Sequence, residues 1–107
     1  MTIMQSATEG TEHERVVIRE DPEIGLRLAI AVHSTVLGPA LGGMRVKRYP
    51  GGLREALDDV MGLARTMTLK ASAAGLDLGG GKAVMIDDGR GETRRARLEG
   101  AARAIDA

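Results

Sequence analysis

Only three of the 15 basic residues are lysine: Lys47, Lys70 and Lys82. Arginine carries almost every other positive charge. Yet both basic positions between Thr66 and Ile86, the stretch richest in Gly, Ala and Leu, are lysine. The difference is chemical. A guanidinium holds its proton under all ordinary conditions, whereas a desolvated ammonium can release one and act as a base. Two ammonium groups in an apolar, glycine-rich setting repel, and each favours the neutral form of the other. The bland alternative is that both side chains snorkel to water from the ends of their elements.

Other chemistry is poorly supported. Gly79-Gly80-Gly81-Lys82 suggests a phosphate loop, but Leu76 stands where the first glycine of that pattern belongs and Ala83 replaces the hydroxyl residue after the lysine. The dinucleotide fingerprint fails at Val84, where Gly or Ala is needed. His33 ends an apolar stretch and has two readings, an acid/base facing a pocket or a satisfied edge residue. Ser34 beside it is expected on the opposite strand face. No Asp, Glu and His set has metal-ligand spacing. With no cysteine, thiolate chemistry and disulfides are excluded.

Fifteen acidic residues balance the 15 basic ones. That balance argues against a nucleic-acid partner and against an anionic membrane surface. Tyr49 is the sole aromatic residue, so base stacking has almost no platform. The longest apolar run, Leu28 to Val32, is far short of a membrane span. Met1 to Gly10 shows no basic and no apolar signal region, so a cytoplasmic location is expected. The 107 residues correspond to about one domain. Eleven of its 15 glycines gather at 38–52 and 75–91, which implies that backbone approaches something closely there.

The elements that would position these residues follow from periodicity. Residues 1–13 are expected to form an N-terminal arm or a frayed helical turn, ahead of a single domain over 14–107. Val16, Val17 and Ile18 read as a strand over 15–19. Asp21-Pro22-Glu23 with Gly25 marks a turn. Leu26, Leu28, Ile30 and Val32 alternate with Arg27, Ala29, Ala31 and His33, a strand over 26–35 that pairs with the first as a hairpin. Gly38-Pro39 and Gly42-Gly43 read as loop, and Met44 to Arg48 as a third strand. A helix is expected from about Leu53 to Ala74, with Leu53, Leu57, Val60, Ala64, Met67 and Ala71 as its apolar stripe and Gly75 as its stop. Residues 76–81 read as loop, 82–86 as a short buried strand and Asp87-Asp88-Gly89 as a turn. Thr93 would cap a last helix in which Leu98, Ala101, Ala102 and Ile105 share a face. That helix reaches the last residue without a stop signal, so the chain is read as cut short. The fold class expected is α+β with α/β layering: a small mixed sheet with helices packed on it.

Three blocks then become familiar together: Leu37-Gly38-Pro39-Ala40-Leu41-Gly42-Gly43-Met44-Arg45, Leu63-Ala64-Arg65-Thr66-Met67-Thr68-Leu69-Lys70-Ala71, and Gly75-Leu76-Asp77-Leu78-Gly79-Gly80-Gly81-Lys82-Ala83. In order and spacing they resemble the N-terminal domain of the Glu/Leu/Phe/Val dehydrogenases, nearest the leucine and valine branch, over about residues 14–105. The resemblance implies oxidative deamination of an L-amino acid to a 2-oxo acid and ammonia, with NAD or NADP taking the hydride, and a homo-oligomer. It implies that Lys70 holds the substrate carboxylate and that Lys82 is the general acid/base that activates water. It implies that Gly42 and Gly43 lie against the substrate and that Leu41 and Met67 line its side-chain pocket.

Some features depart from the family. Asp87-Asp88-Gly89 stands where Gly-Asp-Pro is usual, and Thr66-Met67 where Gly-Met is usual. The family's essential Asp, in a Thr-Ala-Glu-Asp-Val-Gly-like strand, and its dinucleotide-binding domain are not in these residues. The expectation is therefore a substrate-binding and oligomerisation domain, inactive alone and binding no cofactor. A free-standing amino-acid binding or assembly module and an inactive fragment are the alternatives.

Overall fold

The computed structural model describes residues 3–6, 12–36, 40–41, 43–87, 91 and 94–106. The β-branched run at 16–18 lies in β2 (Arg15–Asp21), and the alternating stretch after the turn forms β3 (Leu26–Ser34). Gly25 takes a φ of 71°, a left-handed conformation that glycine adopts without strain. The two strands pair antiparallel, with Val16 opposite Ala31 and Arg19 opposite Leu28, so the expected hairpin is present.

The N-terminal residues give the first correction. Ile3–Ser6 form an edge strand, β1, antiparallel to β2, rather than a helical turn. A second correction concerns the glycine run. The expected loop over 76–81 is shorter, because Gly79–Ile86 form one strand, β6. Between β3 and β6 in sequence lie β4 (Ala40–Leu41), inside the stretch expected as loop, and β5 (Met44–Lys47), one residue shorter than expected. The turn at Asp88-Gly89, the Thr93 cap and the Gly38-Pro39 break lie outside the described residues.

The strands make one mixed sheet in the order β1-β2-β3-β6-β4, with β5 also pairing β6. β3 runs antiparallel to β6, whereas β4 and β5 run parallel to it. Helix α1 (Leu53–Ala73) begins after Gly52, whose φ is 74°, and α2 is Arg94–Asp106. The α+β class is as expected.

Both faces of the sheet are covered. Val16, Ala29, Ala31, Val84 and Ile86 bury against Ala56, Val60 and Ala64 of α1, together with Tyr49. Small alanines on both sides of this layer let the helix approach the strands closely. The opposite face carries Leu26, Leu28, Ala83 and Met85 against Ala101, with Leu98 packed beside them.

The expected face of α2 is rotated. Ala102 is exposed and Ile105 is half-exposed, while Arg97 is fully buried. The Arg97 guanidinium reaches Asp87, just after β6, Nη1 to Oδ1 3.7 Å.

Candidate functional site

Lys70 lies in the last turn of α1, exposed, and Lys82 lies half-buried in mid-strand on β6. The expectation of two ammonium groups in one dry setting is therefore not met at Lys70. Each lysine lines its own cavity. Lys70, Met67, Ala71, Leu76 and Gly79 surround a small one of about 140 Å³. Lys82, Gly43 and Gly81 line a larger one of about 340 Å³. Ile30, Met44 and Ile105 supply apolar walls to that cavity, and none of the three was expected at the site from the sequence.

The structure thus joins Lys70 with Met67, and Lys82 with Gly43. Gly43 lies beside the lysine: a Cβ there would be in ordinary van der Waals contact with Lys82 Nζ, at 3.5 Å. The Gly43 carbonyl accepts the Ala83 amide at 3.0 Å, which fixes this loop to the strand beside Lys82. Leu41 enters through the β4 backbone, opposite Gly80. Gly42 lies outside the described residues.

The glycines of β6 account for how these elements meet. A Cβ on Gly80 would stand 2.3 Å from the Ala64 carbonyl oxygen and from the backbone N and Oγ1 of Thr68. Real side chains do not come so close, so only glycine lets α1 rest on the strand there. The run is a packing device in a sheet, not a turn before a helix.

His33 has partners. Its Nδ1 stands 2.9 Å from Thr68 Oγ1, and its Nε2 stands 3.7 Å from Glu12 Oε1. The His13 ring meets it edge-on, with centroids 4.9 Å apart. The reading of His33 as a satisfied residue fits these contacts. Nearby, the Thr35 hydroxyl donates to Glu14 at 2.7 Å, and that bond holds the exposed Glu14 carboxyl below its ordinary range. Among the described residues no three His, Asp or Glu side chains gather as a metal site. No described helix is long and apolar enough to cross a membrane.

The site thus consists of a glycine-rich strand carrying one lysine and a helix packed on that strand carrying a second. Residues 13–107 match the Glu/Leu/Phe/Val dehydrogenase dimerisation domain, and the chain belongs to that family. It is 55% identical over 78 residues to a phenylalanine dehydrogenase from Bacillus thermotolerans, which covers 73% of this chain and 20% of that protein. It is 48% identical over 94 residues to a leucine dehydrogenase from Geobacillus stearothermophilus, covering 88% of this chain and 25% of that one. The crystal structure of L-tryptophan dehydrogenase from Nostoc punctiforme superposes with a TM-score of 0.79 at 34% identity, over 92% of this chain and 29% of that one. The chain thus spans about a fifth to a quarter of the length of these curated relatives.

Proposed function

We propose that this chain is the N-terminal substrate-binding and oligomerisation part of an NAD(P)-dependent dehydrogenase that converts a branched-chain or related L-amino acid to a 2-oxo acid and ammonia. One observation carries the reading. Lys70 with Met67 and Lys82 with Gly43 line two cavities, each bordered by a glycine of β6. Lys70, exposed at the end of α1, offers a permanent cation to a carboxylate. Lys82, half-buried, is placed to exchange protons. As water adds to the carbon of the protonated imine, Lys82 Nζ takes the proton that water loses and passes it to the nitrogen. As the C–N bond breaks and ammonia leaves, Nζ takes the proton of the new hydroxyl, which becomes the 2-oxo group. The apolar walls around Lys82 suit an aliphatic side chain. The dimerisation-domain description of the family supports the oligomer.

The nicotinamide nucleotide does not fit the described residues. Gly79–Gly81 lie inside a strand, not at a helix N-terminus. The Gly51 amide at the start of α1 already donates to the Glu55 carboxylate at 2.6 Å, so an acid occupies the position a phosphate would need. We assign NAD(P) binding to no residue of this chain, and we expect the chain alone to form no NADH from leucine or valine.

The test is steady-state kinetics in a complete enzyme, made by joining this chain to the remaining part of the Geobacillus leucine dehydrogenase. Lys82→Ala should lower kcat by about 10²–10⁴, the usual contribution of a positioned acid/base. Lys82→Arg should not rescue it. Lys70→Ala should chiefly raise KM, since it removes a charge that binds substrate and transition state alike, and Lys70→Arg should restore part of the loss. Near-normal kcat in Lys82→Arg, or a pure kcat effect in Lys70→Ala, would refute these roles.

A further inference from the structure

The C-terminal third of α1 is weakly packed. Beyond Ala64, Ala71 is the one described residue of this helix that is buried, and Leu69 and Leu76 stand 60% and 49% exposed. Hydrophobic burial alone therefore holds the Lys70 end of the helix loosely. A polar contact supplements it. The pairing of β3 with β6 shifts register between Val32, opposite Gly81, and Ser34, opposite Gly80, so His33 occupies a bulge beside the glycine run. Bulges of this kind re-aim a side chain.

The His33 side chain is 18% exposed and meets Thr68 Oγ1 at 2.9 Å. The Thr68 hydroxyl stands between two partners, His33 Nδ1 at 2.9 Å and the Ala64 carbonyl at 3.4 Å. Two helical turns earlier, His13 Nε2–H donates to the Met61 carbonyl at 2.8 Å, and its ring lies edge-on to His33. The two imidazoles thus grip one face of α1. Thr68 is also the residue that closes over Gly80. Lys70 follows Thr68 by two positions, and Lys82 follows Gly80 by two.

We infer that His33 is a positioning residue: through Thr68, seated on Gly80, it fixes the Lys70 end of α1 against the strand that carries Lys82. This rests on the substrate reading above, but its first test does not. Backbone amide exchange in the 107-residue chain should quicken about tenfold over residues 68–74 in His33→Ala and in Thr68→Val, which keeps the shape of threonine without its hydroxyl. It should stay unchanged over residues 56–64. The double variant should be no faster than either single one, because both remove the same bond. Thr68→Ser, which keeps the hydroxyl, and His33→Asn, which presents an amide N–H near the place of Nδ1, should restore slow exchange. Unchanged exchange in the single variants, or additive effects in the double, overturns the inference.

The second test uses 2-oxo-4-methylpentanoate as the probe, titrated by NMR into the same chains. Thr68→Val should weaken its binding about tenfold, roughly the effect of one lost hydrogen bond, and Thr68→Ser should restore it. Binding of the neutral amide of the same acid should not change, since it lacks the charge that Lys70 would meet. Faster exchange with unaltered binding overturns the positioning role. A wild-type chain that does not bind the probe overturns the substrate reading instead, and amide exchange then still decides whether the His33 bond holds the helix.

Discussion

At its N-terminal end, α1 is held by side chains; at its C-terminal end, it is held by glycines and a histidine. Tyr49 is buried just before the helix, and its hydroxyl donates to Asp59 one turn and a half into it. Arg45 Nη1 also meets Asp59, at 3.3 Å, and Lys47 lies 5.6 Å from the centre of the Tyr49 ring. Arg45, Lys47, the Tyr49 ring and the Asp59 carboxylate thus engage one another at this end. At the other end, Gly79, Gly80 and Gly81 contribute no side chains, and the space they leave admits the helix backbone and two cavities with a lysine on each. The difference separates anchoring from function. One end is held by its own polar groups, and the other leaves two cavities, each lined by a lysine.

The largest effect expected is at Gly80. In Gly80→Ala, the new methyl would fall 2.3 Å from backbone atoms of Ala64 and Thr68, which cannot rotate out of the way. The helix must lift, and overpacking of this kind costs about 2–3 kcal/mol. In a domain of this size that lowers Tm by about 10–20 °C. Thermal denaturation followed by circular dichroism measures it. A fall of under about 3 °C would show that α1 does not rest on the strand as described, and that the open end is less tightly made than the comparison holds.

How legible each end was in the sequence follows from the same contrast. The hairpin and α1 rest on local periodicity, and Val16–Ile18, the alternation at 26–33 and the stripe through Val60 and Ala64 all express it. The strand at Gly79–Gly81 was hidden, because glycine favours loops by conformational entropy and its reason for being here is a helix that contacts it from elsewhere in the chain. Ile3–Ser6 carries too few residues for a period, and its strand exists only because β2 presents an open edge. On α2, apolar count misplaced the buried face, because Arg97 turns inward toward Asp87, a partner outside the helix. At the site, Lys70 and Lys82 were legible by residue type and by the blocks around them. Their separation into two cavities was not, since spacing along the chain does not say which residues of other elements gather around each lysine. The partner of His33 was hidden for the same reason, being 35 residues away.

An intermediate effect is expected at the closed end. Tyr49→Phe keeps the ring and removes the hydroxyl that donates to Asp59, which should cost about 1–2 kcal/mol. It should also change the response to alkali. Burial first, and the Asp59 carboxylate second, push the Tyr49 phenol above its ordinary range. The fold therefore prefers the neutral phenol. That contribution is complete below about pH 10, the ordinary value for tyrosine, and is lost as pH rises from there toward the raised folded value. Urea midpoints at pH 7, 10 and 11 should fall more steeply in the wild type than in Tyr49→Phe. Parallel curves would mean that the hydroxyl is not held by Asp59, and the closed end would lose its central contact.

The smallest effect expected has the opposite sign, and it isolates what is special about Gly80. Gly62 lies in the middle of α1, exposed, with no positive φ and nothing within 4 Å of where a Cβ would stand. It gives the helix flexibility without admitting any neighbour. Gly62→Ala should thus stabilise the chain by about 0.5–1 kcal/mol, because alanine has less backbone freedom to lose on folding and a higher helix propensity. Tm should rise by about 2–6 °C. The Thr66 hydroxyl donates to the Gly62 carbonyl at 3.0 Å, a bond to main chain that the added methyl leaves in place. The same substitution, Gly→Ala, is then destabilising on the strand beneath α1 and stabilising on the helix's own solvent face. A lower Tm for Gly62→Ala would mean that this face of α1 is covered in solution, in which case the contrast between an open and a closed end would have to be redrawn to include a third surface along the helix.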